Sequence, residues 1–331
     1  MRNGATTGGY PAVVEAPAIV VITRDRCDEL LENLVRLQRL CEVGDAGEVV
    51  VVDNASSDGT PHAVSERFPD VRVLPQTRNL GAVGRNVGVR ATSARVVAFA
   101  DDDSWWEPGA LPRAARLFTE HPRLGLVHGR LVVEPGGETD DACRKMARTP
   151  VEPGLPGPSI VGHLGCGAIV RRDAFLGVGG YSPILGFGGE EALLSLDLSA
   201  GRWAQCYVDD VVAHHAPSER REDWPRRWAR YRRNDTLTAI LRLPPPVAVG
   251  ETLTFLRQAV TDRAVREEVS PFLHKVPPAL LHRRPVPADV WDRWREFRAL
   301  AACTGPGGPS RLRRPGPPRA ARRPAPPARR R

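Results

Sequence analysis

The sequence predicts an α/β fold in which a mostly parallel central sheet is flanked by helices. In the first hundred residues, short apolar runs rich in valine and isoleucine alternate with segments whose leucines recur every three or four positions. This alternation is typical of strand–helix–strand units. The apolar runs are also uninterrupted by polar residues, as expected for parallel strands that are buried on both faces.

Each element follows from its local pattern. Ala18–Thr23 (AIVVIT) predicts the first strand, and Asp28–Leu40 predicts the first helix because its leucines fall on one face. Further strands are predicted at Glu48–Val52, Val71–Leu74, Arg95–Ala100, Leu124–Val133, Cys166–Val170, Ala204–Val208 and Val211–His214. Further helices are predicted at Pro61–Phe68, Val83–Ser93, Leu111–Thr119, Glu190–Ala200, Trp224–Leu241 and most of 250–300. Residues 139–158 are rich in proline, glycine and charge and predict a loop.

The chain divides into four predicted regions. Residues 1–17 form a flexible N-terminus, 18–245 the α/β domain, 246–303 a helical C-terminal extension, and 304–331 an Arg/Pro-rich tail. The tail lacks the apolar residues that a core requires, so we expect it to be disordered.

The basic charge is concentrated in the tail. The chain has a formal net charge of +8, and the tail contains nine arginines and no acid. Residues 1–303 therefore carry a formal net charge of −1, which gives no reason to expect specific nucleic-acid binding by the body of the protein.

Membrane insertion and export are not expected from the sequence. No apolar run reaches the roughly 18 residues of a membrane span, and the first apolar stretch ends at a charged Thr-Arg-Asp segment. The six cysteines are scattered, with no C-x-x-C pair. We expect a cytoplasmic protein with reduced thiols.

Polar residues follow three of the predicted strands. The segments are 23–26 (TRDR), 53–60 (DNASSDGT) and 101–103 (DDD). In a parallel sheet the carboxyl ends of the strands form the ligand-binding edge. The first turn has no glycine, which argues against a nicotinamide or flavin dinucleotide. Asp53 either contacts a ribose or base, or forms a turn before the following helix.

Asp101, Asp102 and Asp103 predict a cation site. Neighbouring carboxylates repel each other unless a positive charge lies among them, and Mg²⁺ or Mn²⁺ binds carboxylate together with phosphate oxygens. The alternative is a solvated acidic turn.

Several motifs in order resemble those of family-2 glycosyltransferases with the GT-A fold, a Rossmann-like architecture. The resemblance covers residues 18–241 and rests on VVDNASSDGT (51–60), NLGAVGRNVG (79–88), FADDDSWWEPGAL (99–111), GCGAIVRRDAFLGVGGY (165–181), GGEEALLSLDLSAG (188–201) and VVAHH (211–215). It implies a bacterial-type enzyme that transfers a sugar from a nucleotide-diphosphate sugar, with a divalent cation and inversion at the anomeric carbon.

The resemblance also implies residue roles. Asp53 would contact the nucleotide base, Thr23 and Arg24 would line the same pocket, and Arg85 would lie near the nucleotide. Asp101 and Asp102 would face the nucleotide sugar. Metal ligands are expected to be Asp103 and His214, with His214 preferred over His215.

The catalytic base implied by the resemblance is Glu191, with Glu190 beside it. The alternative is that both carboxylates merely complement a helix N-terminus. The sequence departs from the family pattern at Leu193, where an Asp is usual, and at Asp197, where an Arg is usual. These departures leave the level of activity open.

Gly165, Cys166 and Gly167 are expected to form part of the acceptor wall, because small residues let a substrate approach the backbone; a glycine-rich turn is the alternative. The acceptor would be a glycan, a lipid-linked sugar or a small molecule. The basic helix predicted at 224–241, or the tail, could contact an anionic membrane peripherally. Two other functions remain open from the sequence: a nucleotidyltransferase, and a non-catalytic module that binds glycan or nucleic acid.

Overall fold

A computed structural model describes residues 15–218, 220 and 222–302. Nine strands occur in this part: β1 Ala18–Thr23, β2 Glu48–Asp53, β3 Arg72–Pro75, β4 Val96–Asp101, β5 Ser104–Trp106, β6 Leu124–Val133, β7 Glu138–Thr139, β8 Ala168–Arg171 and β9 Ala204–His215. Eight helices lie in the α/β part: α1 Cys27–Glu42, α2 Thr60–Arg67, α3 Val83–Ala91, α4 Ala110–Glu120, α5 Asp141–Met146, α6 Arg172–Gly177, α7 Glu190–Ala200 and α8 Trp224–Arg242. Four more follow: α9 Pro245–Thr261, α10 Arg263–Glu267, α11 Val269–Leu281 and α12 Ala288–Ala302.

The strands form one mixed sheet in the order β3-β2-β1-β4-β8-β6-β9-β5, and β7 pairs with β6. Strands β1 to β4 pair in parallel, whereas β8 runs antiparallel to both β4 and β6. The main core lies between this sheet and its helices, and includes the fully buried residues Ile19–Val21 of β1. The predicted α/β fold is confirmed, and the apolar runs predict its parallel half well.

The helices after α8 pack on one another and on α8. Phe255 of α9 packs against Phe272 of α11 with ring centroids 5.0 Å apart and the rings tilted by 48°, inside a second apolar cluster that includes Leu237 of α8. This confirms a helical C-terminal extension. No helix in the described ranges is long and apolar enough to cross a membrane. The tail at 304–331 and most of the predicted N-terminal segment lie outside the described residues.

Three local predictions need correction. The predicted loop at 139–158 contains α5, which begins because the Asp140 carboxylate accepts a hydrogen bond from the Ala142 N–H at 2.7 Å. The predicted strand at Cys166–Val170 begins two residues later, because Gly165–Gly167 forms a 3₁₀ turn. The two short strands predicted near the end of the sheet are one strand, β9, with a register irregularity opposite Gly129.

Candidate active site

The carboxyl ends of β1, β2 and β4 lie side by side. Thr23 pairs with Asp53, and Ile22 pairs with Asp101. These ends open into a cleft of about 420 Å³ that α7 and α8 also line. Its lining includes the predicted residues Thr23, Arg24, Arg85, Asp101, Asp102, Asp103, Gly165, Cys166, Glu190 and Glu191.

The aspartate turn between β4 and β5 is held by two side chains. The Asp101 N–H donates to Ser104 Oγ at 2.7 Å. The buried Asn33 amide of α1 donates to the carbonyl oxygens of Asp101 and Ser104 at 3.0 and 2.6 Å. Sequence reasoning missed Asn33, which lies in the middle of a leucine-rich helix and has no local motif.

The first two aspartates already have cationic or hydroxyl partners. Asp101 pairs with the guanidinium of Arg85. Asp102 accepts hydrogen bonds from Arg26 Nη1 at 2.8 Å and Thr23 Oγ1 at 3.1 Å. Burial raises the pKa of Asp102 to about 7, although the charge of Arg26 opposes that shift. Arg26, which the sequence did not single out as a site residue, thus occupies the cationic position among the carboxylates.

Asp103 faces His215, and His214 lies elsewhere. The distance from Asp103 Oδ1 to His215 Nε2 is 3.4 Å. His214 Nδ1 lies 3.0 Å from Glu134 Oε1, and its ring stacks on Trp105. The expected placement of His214 beside Asp103 is therefore wrong, because consecutive residues of a strand face opposite sides and Ser104, next to Asp103, pairs with His215.

Asp103 and His215 fit a divalent cation that shares its coordination with a substrate. No group of three His, Cys, Asp or Glu residues in the described part of the chain could hold a metal by itself. Mg²⁺ commonly takes one or two protein carboxylates and completes its shell with substrate phosphates and water. The Asp103 carboxylate and the His215 imidazole supply that kind of partial donor set.

The predicted nucleotide residues are divided between the cleft and the interior. Arg24 lines the cleft with its side chain half exposed. Asp53 is 1% exposed and does not line the cleft; one carboxylate oxygen accepts from the Ser56 N–H at 3.0 Å, which is the turn contact that the sequence left open. Asn54, the next residue, does line the cleft.

Arg85 lies at the floor of the cleft and is almost entirely buried. Its side chain is 2% exposed and lies near the faces of Phe99 and Tyr181, with the guanidinium carbon 5.8 and 5.6 Å from the ring centroids. Its ion pair with Asp101 occupies the group that the sequence assigned to the nucleotide. In this structure Arg85 therefore orients Asp101 from below.

Glu190 and Glu191 begin α7, directly after the glycine turn at 188–189. Glu190 is 2% exposed, and its Oε2 has no hydrogen-bond partner among the described residues. Burial raises the pKa of both carboxyls, and the pKa of Glu190 is raised further by the charge of Glu191. Arg85 partly opposes the shift in each. A carboxylate with a raised pKa next to a cleft suits proton uptake.

The two departures from the family pattern lie outside the cleft lining. Leu193 is buried in the apolar cluster between α7 and α8. Asp197 forms a two-pronged ion pair with Arg242 of α8, in which Nη2 lies 3.1 Å from Oδ2. Both residues therefore attach α7 to α8 and do not form the cleft surface.

The lack of a side chain at Gly165 and Gly167 makes room for the buried side chains of Arg85 and His128. A Cβ at Gly165 would lie 2.8 Å from Arg85 Nη2, and one at Gly167 would lie 2.8 Å from His128 Nε2. Gly165 and Cys166 line the cleft, but Gly167 does not. The expectation that Gly167 forms part of the wall is therefore not met.

The basic helix α8 contributes to the cleft in a way that the sequence analysis did not anticipate. Arg227, Arg230 and Tyr231 line it, with Phe187 on the neighbouring turn. Their positions at i, i+3 and i+4 place them on one helix face, and that spacing was the available signal.

Comparisons with known proteins bear on the family and the fold. Residues 18–178 match the family described as Glycosyl transferase family 2. The N-acetylglucosaminyl-diphospho-decaprenol L-rhamnosyltransferase of Mycobacterium tuberculosis is 31% identical, over 50% of this chain and 66% of that protein. The chain thus spans slightly less than two thirds of the length of this relative.

Solved structures show the same fold. A mannosyltransferase from Pyrobaculum calidifontis in complex with GDP-Man and Mn²⁺ has a TM-score of 0.51 at 22% identity, covering 86% of this chain and 85% of that one. S. aureus TarS 1–349 in complex with UDP-GlcNAc has a TM-score of 0.54 at 18% identity, covering 86% and 88%. The chain therefore has the GT-A fold, and its residues 18–178 match glycosyl transferase family 2.

Proposed function

We propose that this protein transfers a sugar from a nucleotide-diphosphate sugar to an acceptor hydroxyl, with inversion at the anomeric carbon. The observation that supports this most is that two sets of acidic residues line one cleft. The sets are Asp101–Asp103 at the end of β4 and Glu190–Glu191 at the start of α7. The first set suits a diphosphate with its cation, and the second suits a proton acceptor.

In the proposed reaction, Glu191 accepts the proton of the acceptor hydroxyl as that oxygen bonds to C1 of the sugar. The bond from C1 to the diphosphate oxygen breaks on the opposite face, and its electron pair leaves with the diphosphate. A single displacement of this kind inverts the configuration. Asp103 and His215 would hold a Mg²⁺ or Mn²⁺ ion, which supplies positive charge to the leaving diphosphate.

Thr23, Arg24 and Asn54 line the nucleotide end of the cleft and are proposed to contact the donor. The mannosyltransferase and TarS complexes contain nucleotide sugars, and the former also contains Mn²⁺, which supports this donor class and a divalent cation. The name of the mycobacterial relative supports a lipid-linked acceptor among the classes that the sequence left open.

Donor binding is tested by thermal unfolding with UDP, GDP, dTDP or CDP, each with Mn²⁺, Mg²⁺ or EDTA. A ligand at 100 times its Kd adds about 2.7 kcal/mol, which moves the midpoint by several degrees. We expect one nucleotide to give a shift that EDTA and Asp103→Ala both remove. No shift with any nucleotide would contradict the proposal.

The base is tested by Glu191→Gln, which should abolish sugar transfer and preserve nucleotide binding. The matched control is Glu267→Gln on α10, where the side chain is 51% exposed and pairs only with a surface arginine in the described structure. Full transfer by Glu191→Gln would refute the assignment of the base. Nucleotide binding without transfer by the wild type, across lipid-linked and glycan acceptors, would favour a non-catalytic module.

A further inference from the structure

The arginines of helix α8 differ in what they face, and some of them line the cleft. Arg227 and Arg230 line the cleft one turn apart. Arg226, next in sequence to Arg227, has a side chain that is 66% exposed and lies 3.8 Å from Asp223. The helix therefore presents a specific pair of guanidinium groups to the cleft.

These two arginines lie on the side of the proposed base. Tyr231 and Arg230 contact the glycine turn that precedes Glu190: a Cβ at Gly189 would lie 3.2 Å from the Tyr231 ring, and one at Gly188 would lie 3.8 Å from Arg230 Cδ. In an inverting displacement the acceptor approaches from the side of the base, opposite the leaving diphosphate. Arg227 and Arg230 are thus placed to meet the acceptor.

The pairing of charges in the cleft leaves Arg227 without an ion-pair partner among the described residues and gives Arg230 a partly exposed one. At the donor end, Arg85 and Arg26 are already paired with the aspartates. Arg230 pairs with Glu222, which also lines the cleft and is 39% exposed, so a phosphate at Arg230 would have to take the place of this carboxylate. Arg227 forms no ion pair with any residue in the described ranges, and its side chain hydrogen-bonds to that of Tyr231. Guanidinium groups one turn apart suit the oxygens of a phosphate or diphosphate.

Aromatic surface continues from this pair. Trp224 and Trp228 share the helix face of Arg227 and Tyr231, and their rings stack with centroids 6.1 Å apart. Trp224 is 43% exposed, and Phe187 on the cleft lining is 49% exposed. Cationic groups next to exposed aromatic rings match a ligand that has an anionic head and an apolar chain.

We propose that Arg227 and Arg230 bind the phosphate groups of an amphiphilic acceptor, a sugar joined to a prenyl chain through a phosphate or diphosphate. This inference rests on the proposed transferase function and specifies its acceptor. The aromatic face of α8 would contact the first part of the prenyl chain. The same phosphate chemistry also occurs in the donor, so the test must separate the two sources.

The test compares the full-length wild type, Arg227→Gln, the double variant Arg227→Gln/Arg230→Gln, and Arg226→Gln as the matched control. Titration calorimetry measures the binding of farnesyl diphosphate, of farnesol, and of the nucleoside diphosphate that stabilises the wild type with Mn²⁺. Hydrogen bonds to charged groups predict about a tenfold loss of farnesyl diphosphate affinity for Arg227→Gln and about a hundredfold loss for the double variant. Arg226→Gln should bind like the wild type, and nucleotide affinity should stay within about threefold in every variant.

Several outcomes would overturn the inference. Unchanged farnesyl diphosphate affinity in both variants would refute it, as would equal affinity of the wild type for farnesol. A matching loss of nucleotide affinity would assign the pair to the donor. If the wild type binds nucleotide and not farnesyl diphosphate, this inference is wrong and the transferase proposal stands; loss of nucleotide binding itself counts against the transferase proposal. Arg227→Gln breaks no ion pair among the described residues, so this single variant tests the inference if the double variant does not fold.

Discussion

Replacing Asp101 by Asn should destabilise the protein substantially. The change removes the anionic partner of Arg85, whose side chain is 2% exposed, and leaves a guanidinium charge buried below the cleft. Removing one partner of a buried ion pair costs about 3–5 kcal/mol. Because the Asp101 side chain is 27% exposed, water can solvate part of the site, and we expect the lower end, about 3 kcal/mol. For a domain of this size that lowers the melting midpoint by about 6–12 °C.

The measurement is thermal and urea unfolding followed by circular dichroism, on the wild type and on three variants. The double variant Arg85→Met/Asp101→Asn removes both charges of the ion pair and should recover most of the loss. The control is Asp210→Asn, which breaks the ion pair between Arg113 and Asp210 at the surface, with side chains 34% and 60% exposed, and should cost about 0–1 kcal/mol. An Asp101→Asn protein with the same melting midpoint as the Asp210→Asn control would refute the reasoning.

Three further predictions concern pH and packing. The kcat/KM for transfer should rise with pH, with a midpoint above the ordinary glutamate pKa of about 4.3. The reason is that burial raises the pKa of Glu191, which must be ionised to accept a proton. A pH–rate profile whose midpoint lies at the ordinary value would contradict this. Glu190→Gln should stabilise the protein at neutral and higher pH. Because the pKa of Glu190 is raised in the folded state, its contribution to stability is complete below the unfolded pKa and is lost as pH rises through the folded pKa. The gain in unfolding free energy from Glu190→Gln should therefore shrink on acidification. A gain that does not depend on pH would contradict this prediction. Gly157→Ala should cost about 1–3 kcal/mol or more in urea unfolding, because its Cβ would lie 2.0 Å from the Tyr207 carbonyl oxygen. The control Gly177→Ala, whose Cβ would have nothing within 4 Å, should be neutral or slightly stabilising. Equal stability of the two variants would disprove the packing argument.

The parallel half of the fold could be predicted because each of its strands can be recognised from its own run of apolar residues. Ala18–Thr23 is buried at every position and apolar up to its last residue, and the polar residues that follow it fall at the ligand-binding edge. The aspartates at 101–103 could be located for the same reason. The antiparallel half was harder, because β5 has only three residues and is defined by its pairing with β9.

Side-chain placement within the site could be predicted less well. The choice between His214 and His215 depends on the register between β5 and β9, which no local pattern specifies. Arg85 has the residue type expected near a phosphate, but its burial depends on tertiary contacts with Asp101 and Tyr181. The basic helix α8 was considered only for peripheral membrane contact, because its helical spacing alone does not show what lies opposite.

Gly165, on the proposed acceptor side of the cleft, has a consequence for changing the specificity of this protein. The volume that a side chain at Gly165 would need is filled by the guanidinium of Arg85, which in turn holds Asp101 at the donor end. A substitution at Gly165 meant to reshape the acceptor side would therefore also displace a donor-side carboxylate. Under the proposed function, the donor and acceptor sides of the cleft are mechanically linked at this position, so a library that varies the acceptor should leave Gly165 intact and diversify the exposed face of α8.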